Sequence, residues 1–367
     1  MRRRNNVALL FFFLLTAQIL ANSQTAGSAA QPTEPTSSAQ APANSQPPST
    51  QGLANGNSTH GGAPPDAHIT TVPAAQNPDS ADSGVFVFRR QVEEVVLHAT
   101  VIDNKQHIVT NLDKGSFTVF EDGHPQAITS FRHEDIPVAM CVVVDNSGSM
   151  REKRAKVNAA ALNLVRSSNP NDEVCVVNFN DEYYLDQDFT SNINKLKDGL
   201  EKIEARGGTA LYDAVVASAV HLKEHAKLEK KVIFVVTDGD DNESSETLEQ
   251  AVRRLQAENG PTVYAIGLLE GEEHAKHARR ALQIMCERTG GIAFLPRTLD
   301  EVDAISRAVA HDIRSQYTIG YKPTTPKTQG GYREVKVEAK SPDHGSKLTV
   351  RTKSGYYAGA EPAAGSQ

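Results

Sequence analysis

The sequence predicts an α/β fold: a doubly wound, mostly parallel sheet inserted in, or flanked by, a β-sandwich. Three observations carry this. Between about 136 and 314, short apolar runs alternate with stretches of helical periodicity, the pattern of parallel strands joined by covering helices. On either side, 85–135 and 315–358 are rich in β-branched residues and largely alternate apolar with polar. Asp122-Gly123 separates two such runs, a strong short-range hairpin signal.

The elements follow in order. Met1-Arg-Arg-Arg4 precedes the apolar run Val7–Leu14, and Ala21-Asn-Ser23 supplies small residues before Gln24. Residues 1–23 therefore read as a secretory signal peptide. Their strongly apolar part is nearer ten residues than the ~20 of a spanning helix. The chain is expected to be exported to the periplasm, the cell surface or the medium, with no membrane span in its mature form. Residues 24–84 hold nine of the 18 prolines, four acidic side chains and no Lys or Arg. Such a segment buries too little apolar surface to offset its ordering entropy and reads as a disordered linker.

From 85 to 135, Val92–Ile102 reads as a strand, and Ser116–Glu121 and Gln126–Phe131 read as the arms of the hairpin. Val138–Val144 is continuously apolar, as a strand buried on both faces should be. A helix carrying Val157, Ala160, Ala161, Leu164 and Val165 follows, then a strand over Val174–Phe179 and a helix bearing Ile193, Leu196, Leu200 and Ile203. Further helices begin near Leu211 and Glu246, around a strand at Val232–Val236. Thr262–Ile266, a helix through Cys286, Ile292–Phe294 and a last helix over Leu299–Arg314 complete the domain at 136–314. Tyr317–Tyr321, Arg333–Ala339 and Lys347–Thr352 read as three more strands, the middle one with a solvated face, and 359–367 as a disordered tail. Neither flank alone has enough strands to close an apolar face, so 85–135 and 315–358 are expected to form one sandwich around the inserted domain.

Composition removes several classes. The formal charge is −7, and −10 beyond the three leading arginines, so the chain lacks the basic surplus that nucleic acid or an anionic membrane demands. Three cysteines in 367 residues exclude a disulfide scaffold. Cys141 and Cys175 fall on strands that would be neighbours; a disulfide formed after export is the minor alternative, and both read instead as buried hydrophobic fillers, as does Cys286.

The chemistry gathers at strand ends. Val138–Val144 runs into Asp145-Asn-Ser147-Gly-Ser149, a helix opens after Gly207-Gly208-Thr209, and Val232–Val236 runs into Thr237-Asp238-Gly239. In an open α/β sheet such loops meet in the crevice where strand order reverses. Two carboxylates and three hydroxyls form an all-oxygen set suited to a hard divalent cation, Mg²⁺ or else Mn²⁺ or Ca²⁺. An incomplete shell leaves a position for an outside donor, and a partner's Asp or Glu carboxylate supplies both charge and oxygen.

Asp145-x-Ser147-x-Ser149, Thr209 and Asp238 resemble the metal-ion-dependent adhesion site of von Willebrand factor A-like (vWA) domains, which have a Rossmann-like sheet. The resemblance covers roughly 136–314. The whole chain, with Phe117–Gly123 and Tyr317–Tyr321, resembles bacterial VWFA-related domain proteins typified in acidobacteria. It implies divalent-cation-dependent protein binding, in adhesion or assembly, without enzymatic activity. A structural envelope scaffold with an incidental metal is the rival reading, and a hydrolase a weaker one. Catalysis by Ser147 or Ser149 needs a neighbouring His that no motif supplies.

Other motifs weigh less. Asp238, Asp240, Asn242, Glu246 and Glu249 fit an EF-hand count, but Glu243 stands where the sharp turn needs Gly, and an acidic rim at Asp240, Asp241 and Glu243 is expected instead. His221 and His225 have zinc-helix spacing without a third ligand and read, like His274 and His277, as a solvated helix face. The loops Asn180–Asp188 and Gly239–Ser245 are candidates for partner contact.

Overall fold

A computed structural model describes residues 94–269, 274–341 and 347–359. The leader expected at 1–23, the linker at 24–84 and the tail beyond 359 lie outside the described residues. In chain order the first flank supplies β1 (Val95–Ile102), β2 (Phe117–Glu121), β3 (His124–Gln126) and β4 (Ile128–Arg132). The central region supplies β5 (Val138–Asp145), α1 (Arg154–Ser167), β6 (Glu173–Phe179), β7 (Tyr183–Thr190), α2 (Ile193–Glu201) and α3 (Leu211–His225). It continues with β8 (Lys230–Thr237), α4 (Leu248–Leu255), β9 (Thr262–Gly267), α5 (His274–Thr289), β10 (Ala293–Phe294) and α6 (Val302–Arg314). The second flank holds β11 (Tyr317–Tyr321), β12 (Gly331–Ala339), β13 (Thr349–Arg351) and β14 (Gly355–Ala358).

The central sheet has the order β10-β9-β8-β5-β6-β7. All its pairings are parallel except β6 with β7. Every residue of β5 is buried, because helices cover both faces. Met140, Val142 and Val144 pack with Val157, Leu164, Leu196 and Val309, from α1, α2 and α6. Ala139, Cys141 and Val143 pack oppositely with Leu211, Val215, Leu255 and Leu282, from α3, α4 and α5. Each such Val, Leu or Met side chain contributes about 1.5–3 kcal/mol of burial, so this strand anchors the domain and fixes where its carboxyl end emerges.

Two sequence expectations change here. Most of the segment Asn180–Asp188, read as loop, belongs to the edge strand β7 (Tyr183–Thr190), bulged against β6. Its polar alternation hid it, since only one of its long edges is paired. Cys141 and Cys175 are not separate fillers. They face each other in the β5–β6 register with Cα atoms 4.7 Å apart, and they form a disulfide. Direct cross-strand pairing places both sulfurs on one face, within ordinary bridging distance. Cys286 is buried and unbridged.

The flanks interleave. One four-stranded sheet runs β13-β1-β11-β4 and another β14-β12-β2-β3, so each draws strands from both ends of the chain. Val95, Leu97, Val119, Tyr317, Ile319, Val337 and Tyr356 share one core between them. The Asp122-Gly123 turn has positive φ at both residues (49° and 78°), the backbone that a tight hairpin requires and that Asp-Gly tolerates. The returning run then breaks at Ala127: β3 pairs with β2, while β4 crosses to β11 in the other sheet. Inside this unit Glu121 is buried and accepts hydrogen bonds from Tyr321 (2.6 Å), Tyr356 (2.9 Å) and Arg333 (3.1 Å). Arg351 of β13 ties the unit to Asp312 of α6 at 2.5 Å, and Asp312 also accepts from Tyr264 of β9.

Candidate functional site

Asp145 is the last residue of β5, and Asp238 directly follows β8. These strands are hydrogen-bonded neighbours, with Val144 opposite Val236. From β5 the chain adds β6 on one side and then β8 on the other, so strand order reverses between β5 and β8 and a crevice opens at their carboxyl ends. Ser147 and Ser149 lie at the tight turn Gly148–Met150, which leads into α1. Thr209 sits just ahead of Ala210, the N-cap of α3.

The five side chains expected to act together converge. The hydroxyls of Ser147 and Ser149 are 3.1 Å apart, and Ser149 Oγ donates to Asp238 Oδ1 at 2.7 Å. The Ser147 amide donates to Asp145 Oδ1 at 2.7 Å, closing the first loop on itself. Thr209 is held against the third loop, its Oγ1 3.4 Å from where a Cβ on Gly239 would stand.

Main-chain contacts lock the three loops together. Gly148 N donates to Gly207 O (3.2 Å) and Arg206 N to Asn146 O (2.8 Å). Thr209 O accepts from Asn242 N (3.0 Å), while Thr209 N donates to Asn242 Oδ1 (2.8 Å). Gly207 has φ +74°, and a Cβ there would collide with the Asp181 carboxylate, which accepts from Gly208 N. Gly207 thus lets the chain pass under Asp181, and Gly208, where a Cβ would collide with Glu243 and Asn242, lets it pass under the third loop to present Thr209.

Electrostatically the site is negative at its floor. Asp145 is fully buried, and burial first, with the Asp238 charge adding, pushes its carboxyl up to about 6. Its hydrogen bonds come from neutral donors, the Ser147 amide and the Thr237 hydroxyl (2.6 Å), and among the described residues no basic side chain pairs with it. A buried carboxylate ordinarily has a charged partner or a metal. Asp238 does have one: Lys153 Nζ lies 2.8 Å from its Oδ2, with both side chains largely buried.

Sequence reasoning missed Lys153, Thr237 and Asn242. The signals were present, Lys153 four residues beyond Ser149 and Thr237 beside Asp238, but neither residue type announces a role without its contact. The expected acidic rim is partly built otherwise. Asp241 accepts from Tyr212 N (2.9 Å) and Ser244 Oγ (2.6 Å), so it braces the start of α3. His221 is not on a solvated face either: it bonds Asp188 at 2.9 Å and stacks on Phe189 of β7. Among the described residues no cluster of three or more His, Cys, Asp or Glu side chains is placed to hold a metal, so the five-oxygen set, only two of it carboxylate, stands alone.

The chain is similar to several known proteins. Residues 140–241 match the family model described as von Willebrand factor type A domain. The bovine inter-alpha-trypsin inhibitor heavy chain H4 (Bos taurus) is 29% identical over 163 residues, spanning 38% of this chain and 17% of its own length. Among solved structures, a von Willebrand factor type A protein from Catenulispora acidiphila covers 74% of each chain at 14% identity and TM-score 0.41. The vWF domain of the type V pili tip protein Mfa5 from Porphyromonas gingivalis covers 49% of this chain and 95% of its own, at 14% identity and TM-score 0.41. The central region thus has a mostly parallel sheet with helices on both faces, and its stretch from β5 through the turn after β8 is similar to von Willebrand factor type A domains.

Proposed function

We propose that this protein is an exported, divalent-cation-dependent protein-binding module for adhesion or assembly, and not an enzyme. The observation that carries the reading is the convergence of Asp145, Ser147, Ser149, Thr209 and Asp238 at one strand-order reversal. The donor set fits Mg²⁺, or Mn²⁺ or Ca²⁺: all oxygens, three of them neutral, beside a buried carboxylate with no basic partner among the described residues. A cation held there supplies a Lewis-acidic position for an anionic oxygen from outside. The chain's own part is to hold the hydroxyls in place: the Ser147–Ser149–Asp238 chain orients two of them, and Asn242 fixes the backbone of Thr209, which carries the third.

The outside ligand is then an Asp or Glu carboxylate on a partner protein. Gly148 and Ser149 are exposed, so the crevice is reached from solvent. A Ser nucleophile is disfavoured, because the Ser147 and Ser149 hydroxyls bond one another and Asp238, with no His in contact among the described residues. The basic leader at 1–23 supports export, and among the described residues no helix is long and apolar enough to cross a membrane.

The test is capture of partners from an envelope fraction with and without EDTA, alongside Mg²⁺ titration calorimetry of the purified chain. Cation binding that Asp145→Asn abolishes, and partner capture that EDTA abolishes, are expected. Capture that survives both treatments would leave a scaffold with an incidental site.

A further inference from the structure

We infer that Lys153 is a tethered cation that competes for Asp238 and thereby sets the concentration at which the site loads. The inference rests on the metal reading above and deepens it. Asp238 has both carboxylate oxygens engaged: Oδ1 accepts from Ser149 at 2.7 Å and Oδ2 from the Lys153 ammonium at 2.8 Å. The Asp238 side chain is 1% exposed and that of Lys153 14% exposed, so water screens the pair little. Lys153 is the residue before Arg154, the first of α1, so its backbone is anchored while four methylenes let the ammonium withdraw.

The charge count explains the effect. Asp145 and Asp238 together bring two negative charges, and Lys153 cancels one. A divalent ion entering beside Asp238 meets that ammonium at close range, where like charges in a poorly screened crevice repel strongly. Loading then requires the ammonium to retreat or to remain at a cost, and either way the apparent affinity falls. In exchange, Asp238 is never left as an unpaired buried carboxylate. Two cations thus share one carboxylate, one covalently attached and always available, the other supplied by solution.

The test uses the full chain and Mg²⁺ alone. Calorimetric titration of wild type, Lys153→Met and Lys153→Arg is expected to show about tenfold tighter Mg²⁺ binding for Lys153→Met, which keeps the apolar stem, and near wild-type affinity for Lys153→Arg. A second readout needs no variant: reductive methylation of Lys153, followed by mass spectrometry, is expected to run at least threefold faster in saturating Mg²⁺ than in EDTA. Equal or weaker Mg²⁺ binding by Lys153→Met, while wild type binds and Asp145→Asn does not, would overturn the competition and leave the metal reading intact. Labelling of Lys153 that is unchanged by Mg²⁺ would overturn it too. Absence of Mg²⁺ binding by wild type and Lys153→Met alike would overturn both readings together.

Discussion

Asp145→Asn is expected to stabilise the protein in EDTA while abolishing its response to divalent cations. The Asp145 carboxyl is pushed from an ordinary 3.8 up to about 6, chiefly by burial. Keeping it ionised at neutral pH therefore costs the folded state about 3 kcal/mol. Its raised value means that the native state binds more protons than the unfolded chain between pH 4 and 6. The contribution of this group is thus most favourable below pH 4 and is lost as pH rises through 6. Asparagine removes the charge but matches the Ser147 amide and Thr237 hydroxyl less well, at a cost of about 1 kcal/mol. The net is about 2 kcal/mol, which for a folded region of this size raises Tm by roughly 4–8 °C. Scanning calorimetry of both proteins in EDTA, from pH 4 to pH 7.5, should show the difference opening as pH rises. With Mg²⁺ at a hundredfold excess over Kd, wild type gains about 2.7 kcal/mol and the variant nothing, so the order narrows or reverses. A variant that melts at or below wild type in EDTA at pH 7.5 would refute the claim that Asp145 is a destabilised charge awaiting a cation.

Two further outcomes follow from the packing. The Cys141–Cys175 bridge closes a loop of 34 residues, so Cys141→Ala/Cys175→Ala is expected to lose about 4 kcal/mol, and dithiothreitol should lower Tm of wild type but not of the double variant. Arg333→Met leaves Glu121 buried with only the Tyr321 and Tyr356 hydroxyls as partners; it is expected to cost about 3–5 kcal/mol by urea titration while Mg²⁺ affinity stays unchanged.

Much of the architecture was legible because it rests on period and composition. The run Val138–Val144 could be buried on both faces only in a covered parallel sheet, and the helices α1 through α6 each carry an apolar stripe at helical spacing. The Asp122-Gly123 hairpin was legible because few residue pairs tolerate two positive φ values. Asp145, Ser147, Ser149, Thr209 and Asp238 could be singled out together because each stands at a strand end or in a loop leading to a helix.

What failed has a common physical cause. β7 escaped because an edge strand has only one paired side and need not be apolar. The disulfide ranks below the filler reading in sequence because bonding depends on register, and a slip of one residue between β5 and β6 would have put the two sulfurs on opposite faces.

The chain alone therefore determined most of the strands and helices, though not β7, and which oxygen-bearing side chains stand at their ends, since these follow from local periodicity and turn chemistry. Only the tertiary structure decided that Lys153 reaches Asp238, that Thr237 and Asn242 brace the floor and wall of the crevice, and which strands of the two flanks pair within each sheet. Each of those is a contact between residues far apart in sequence or on separate loops, and its energy depends on distance and burial, which exist only once the chain has folded.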